Sequence, residues 1–253
     1  MRIGLFGDSY CDIIYFEDKE YLENPAKWTR KDKTWCARLL DDLSSPILSS
    51  GLGGSCLYDS INKWENDPNK HNYDLVLWSL TWHDRLYTSE HFKPVFLARA
   101  ERRPIPESSI PEINYNEIDK GIDLYYKYFY YDNQQRFYYE QSIQWILSQP
   151  VKYPKTKFIF LPCTEYSRQV SLKHFQNGIL LNFSFETLSN LEPNSRGPMP
   201  IMCGRLGHLN DSNHEAMVTS IKNVIANYHE FANKVISLDL DSFDLINIPQ
   251  FNS

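Results

Sequence analysis

Ser9 stands in "LFGDSYCD", residues 5–12, directly after a short apolar run. A serine hydroxyl is a weak nucleophile until a base takes its proton and fixed donors stabilise the oxyanion that forms on the substrate. Three further stretches hold residues of the right types. "SGLGGS" (50–55) carries Gly53 and Gly54, and glycine lets a backbone N–H come close to a substrate. "LTWHDR" (80–85) sets His83 beside Asp84. "GHLNDSNHEAM" (207–217) contains His208 and His214, and a literal Asp-x-x-His in Asp211 and His214. Each also has a plain structural reading. Ser9 can cap a turn, Gly53 and Gly54 can form one, His83 can be a hydrogen-bonding core histidine, and Asp8 can tie its loop to neighbouring backbone.

These residues need elements to hold them. "IGLFG" (3–7), "PILSSG" (46–51), "DLVLWSL" (74–80) and "KFIFLPC" (157–163) are short apolar runs, as expected of strands buried on both faces of a parallel sheet. Between them "DKTWCARLLDDL" and "SCLYDSINKWEND" repeat apolar residues at helical spacing. The alternation predicts an α/β fold: three layers, α/β/α, with a mostly parallel sheet in one domain over 1–253. Ligands of open α/β sheets bind outside the carboxyl ends of the strands, where Ser9, the glycines and His83 all fall.

From about 85 to 150 the rhythm breaks, first with the Pro-rich "ERRPIPESSIPE" and then with the aromatic-dense "DLYYKYFYYDNQQRFYYEQSIQWIL". The second stretch is expected to be helical, and its ten aromatic residues exceed what one helical stripe can bury. Some should face a second layer, a partner or a groove. Further on, "NGILLNFSFETLSNLEPNSRGP" is a strand or an irregular loop, and Met217, Ile221, Val224 and Tyr228 predict a helix from near Asp211, with Asn210, Asp211 or Ser212 as its cap. The tail "KVISLDLDSFDLINIPQF" suggests an edge strand.

Helical phase bears on the choice of base. His214 lies three residues before Met217 and seven before Ile221, on the apolar stripe, which favours burial. His208 stands in the loop ahead and is the preferred base, with Asp211 and His214 as the competing pair. As metal ligands His208, Asp211 and His214 lack a fourth partner and a recognised spacing, and no phosphate-binding glycine motif follows a strand. No cofactor is expected.

Net charge of −6 without a long basic run gives no source for nucleic-acid affinity. No apolar run approaches the length that crosses a bilayer, and no signal-peptide pattern opens the chain. The expectation is a soluble, cytoplasmic protein. Its five widely spaced cysteines, without C-x-x-C, suit free thiols.

Four of these stretches, in this order, resemble the blocks of the SGNH (GDSL-like) hydrolases. "GDS" at 7–9 resembles the nucleophile block, "GLGG" at 51–54 the second, and "DLVLWSLTWHD" at 74–84 the third, a strand that in the family ends in Gly-x-Asn-Asp. "HLNDSNHEAM" resembles the family's final block when His208 takes the place of its histidine. The resemblance implies a flavodoxin-like SGNH hydrolase fold with the aromatic-rich segment as a helical insert. It further implies a serine hydrolase acting on a small-molecule or carbohydrate ester. Ser9 would be nucleophile and first oxyanion donor, Gly54 N–H the second donor, the His83 side chain the third, and His208 the base. Three positions depart from the family: Thr81 replaces the glycine and His83 the asparagine of the third block, and Arg205 occupies the place of the triad aspartate. An acyltransferase on the same fold, or a non-catalytic glycan- or protein-binding domain, are the alternatives.

Overall fold

The computed structural model describes residues 1–13, 33–51, 55–81, 85–86, 95–96, 120, 124, 128–129, 131–188, 209 and 211–243. Five parallel strands form its sheet: β1 (Ile3–Phe6), β2 (Leu75–Leu80), β3 (Lys157–Pro162), β4 (Ile179–Leu181) and β5 (Lys234–Ile236), adjacent in that order. Alternate side chains divide between two cores. Leu5, Leu77, Ile159 and Leu181 enter one, and Phe6, Trp78, Phe160 and Leu180 the other. That is the period of two expected of strands covered on both faces.

Helices cover both faces. α1 (Trp35–Asp42) and α5 (Asp211–Ala226) contribute Trp35, Leu39, Met217 and Ile221 to the first core. α2 (Leu57–Glu65), α3 (Asp132–Leu147) and α4 (Glu165–His174) contribute Trp64, Ile143, Ile146 and Val170 to the second. The result is three layers, helix over sheet over helix.

One expectation needs correction. "PILSSG" makes a single parallel bridge, Ile47 with Ile3, and not a regular strand. Ser49 explains why: its hydroxyl accepts from Leu5 N–H at 2.8 Å and donates to Leu5 C=O at 3.2 Å, so one side chain takes both groups that a strand's backbone would pair. The helical part of the aromatic-rich segment includes α3. α3 connects parallel β2 to parallel β3, a crossover such a pair requires, and it packs on α2 and α4. Two-residue strands Arg85–Leu86 and Val95–Phe96 form an antiparallel pair apart from the main sheet. The edge strand and the helix from Asp211 are present, and Ser212 lies inside that helix.

The Ile47 bridge lies on the side of β1 away from β2, so the chain leaves β1 first one way and then the other. In open α/β sheets the crevice at such a reversal, outside the carboxyl ends of the strands, is where ligands bind.

Candidate active site

At that crevice β1 gives way to Gly7, which has φ +115°. A side chain there would be strained by conformation alone, and a Cβ would lie 2.0 Å from Ser79 Oγ and 2.5 Å from Ser79 O. Glycine is therefore what lets the chain turn against β2. Gly51 has a comparable constraint, since a Cβ on it would meet Asp8 O at 2.4 Å.

Asp8 follows, fully buried. Its Oδ1 accepts from Tyr10 N–H at 3.1 Å and from the Ser79 hydroxyl at 3.1 Å, with the Cys163 thiol at 3.7 Å. Its Oδ2 accepts from the Thr81 hydroxyl at 2.6 Å. A carboxylate out of water is tolerable when donors surround it in this way. Asp8 does tie backbone, as its neighbourhood suggested, but most of its donors are side chains from the ends of β2 and β3. Ser9 opens a 3-10 turn, Ser9–Cys11, closed by Cys11 N–H on Asp8 C=O at 3.0 Å.

Two of the other candidate segments meet this turn through their neighbours. Gly54, His83, Arg205 and His208 lie outside the described residues. Ser55, next to Gly54, donates its hydroxyl to Gly7 C=O at 2.9 Å. Thr81, two residues before His83, holds Asp8. Leu209, immediately after His208, is buried in the same cluster as Tyr10 and Cys11.

His214 is buried, as its phase predicted, together with Met217 and Ile221. Its Nδ1 accepts from Trp35 N–H at 3.1 Å, supplying a partner for a donor at the first turn of α1 that has none within that helix. In the neutral ring the proton then sits on Nε2. Burial lowers its pKa to about 3. A ring so engaged is neither a ready base nor able to ligate a metal through Nδ1. The next residue, Glu215, pairs with the fully buried Arg38 of α1 at 2.8 Å.

One residue that the motifs did not single out stands at the site. Tyr139 of α3 is buried and donates its hydroxyl to Thr81 C=O at 2.6 Å. Desolvation, and then the neighbouring Cys163, raise its pKa well above the usual phenol value, so it remains a donor. Its spacing with Ile143 and Ile146, by four and then three, is the signal in the sequence that marks its inward face.

Four cysteines, Cys11, Cys36, Cys56 and Cys163, are buried free thiols. Among the described residues no cluster of three or more His, Cys, Asp or Glu could hold a metal ion, and no helix is long and apolar enough to cross a membrane. Comparison with known protein families, with curated proteins and with solved structures finds no match to this chain.

Proposed function

We propose that the protein is a serine-dependent ester hydrolase of SGNH type. What supports the reading is the convergence on Gly7 and Asp8. The turn bearing Ser9, the residue after Gly54 and the strand end leading to His83 are fastened to one another there, at the reversal in strand order.

Ser9 Oγ attacks the ester carbonyl carbon while His208 takes its proton. Negative charge on the carbonyl oxygen is met by Ser9 N–H, Gly54 N–H and the His83 imidazole. Collapse of the intermediate expels the alcohol, which receives the proton from His208 and leaves an acyl-enzyme. A water deprotonated by His208 then releases the acid and restores Ser9. A cation at position 205 cannot do what a triad aspartate does, which is to fix the tautomer and orientation of the base, so His208 works in a dyad or against a backbone carbonyl and turnover is slow.

A fluorophosphonate probe reacts only with an activated serine. Labelling of the native protein, lost in a folded Ser9→Ala variant together with turnover of short-chain p-nitrophenyl esters, is the expected result. Absence of labelling would instead favour a binding domain, for which the exposed Phe129, Tyr131, Phe137 and Tyr138 offer aromatic surface. Hydrolase and acyltransferase are separated by product analysis with a sugar acceptor present.

A further inference from the structure

Thr81 lies one residue past the last ladder pair of β2 and β3, Leu80 with Pro162. Its carbonyl therefore points into the space where regular pairing has ended, and Tyr139 reaches across from α3 to donate to it at 2.6 Å. The Thr81 hydroxyl is the 2.6 Å donor to Asp8 Oδ2, and Asp8 Oδ1 in turn takes Tyr10 N–H. Thr81 is thus held at both ends. Its backbone is fixed by the helix layer, and its side chain is fixed to the turn that carries Ser9. The three groups are buried, at 5% exposure for Tyr139 and 0% for Thr81 and Asp8, so water does not stand in for a lost partner. The Tyr139 ring is itself seated against Tyr166, with centroids 5.6 Å apart.

We infer that Tyr139 is a positioning residue: acting through Thr81 and Asp8, it holds in place the turn that carries Ser9. The inference rests on the hydrolase reading above. It adds that the aromatic-rich segment, through this one hydroxyl, belongs to the machinery of the site. Substrate is not touched by Tyr139, and its effect must therefore pass through the groups it positions.

The rate of fluorophosphonate labelling per folded protein tests this in a double-mutant cycle. Tyr139→Phe keeps the ring and removes only the donor. It should slow labelling about tenfold in the otherwise native protein, and by less than about twofold when Thr81→Val is already present, because Thr81 can then no longer pass the constraint to Asp8 and the Ser9 turn. Thr81→Val should repeat the loss, and Thr81→Ser, which keeps the hydroxyl, should not. Equal slowing by Tyr139→Phe in both backgrounds, or an unchanged rate accompanied only by a lower Tm, overturns the inference and leaves the hydrolase reading standing. Labelling that persists in Ser9→Ala overturns both.

Discussion

Burial of His214 makes stability depend on pH in a window set by one residue. In the folded protein its pKa is about 3, against 6.5 for an ordinary histidine. Between these values the unfolded chain binds a proton that the folded protein does not. Its contribution to stability is therefore complete above pH 6.5 and declines as pH falls toward 3, by about 1.4 kcal/mol for each unit between the two pKa values. Carboxylates titrate over part of the same range, so the informative quantity is the difference from a variant. His214→Gln, which keeps an acceptor for Trp35 N–H but cannot titrate, should be less acid-sensitive between pH 6.5 and 4 in urea unfolding. Parallel stability profiles for the two proteins would show that His214 is not held neutral. The buried side of this histidine was legible in its helical phase with Met217. Its bond to Trp35 was not, because the partner lies 179 residues away.

At the scale of elements, the turn after β1 depends on a glycine for two separate reasons, conformation and space. Gly7→Ala should cost several kcal/mol and abolish probe labelling, since positive φ and a backbone clash act together. Trimming Ser79 to alanine in the same protein should recover little of that. It removes the contact with Oγ but leaves Ser79 O in the way, 2.5 Å from the added Cβ. Full recovery of the melting temperature in the double variant would show that side-chain crowding alone was at fault. Strands β2 and β3 could be read directly, because a strand covered on both faces must be apolar throughout. "PILSSG" has the same character but is no strand, for its pairing passes through the Ser49 hydroxyl, and composition does not tell a side-chain acceptor from a backbone one. The place of α3 in the layer is harder to read. Its exposed aromatics, such as Phe137 and Tyr138, mask the stripe of Tyr139, Ile143 and Ile146 that packs it in the layer.

For the molecule as a whole, the sheet joins two cores that share no side chain; Cys36 of α1 lies in the first, and Cys56 is the N-cap of α2, the helix that packs into the second. Both thiols are buried, and burial holds that of Cys56 up at about 12, so alkylation of the native protein should be slow at each. If the layers unfold as one unit, site-resolved alkylation across a urea series should give one midpoint for the two cysteines. Two separated midpoints would mean that one layer leaves before the other. The layered class and its parallel sheet were legible from the alternation of runs. The fastening of the site was not, since Asp8, Thr81 and Tyr139 come from separate elements and nothing local announces their meeting. Their separation along the chain has a consequence for biosynthesis. Translation proceeds from the amino end at roughly 5–20 residues per second, so Asp8 emerges on the order of ten seconds before Tyr139, which lies roughly 130 residues later. A nascent chain therefore carries the Gly7–Asp8–Ser9 turn long before the helix that secures its neighbour has been made, and the turn waits for a later part of the chain to complete it.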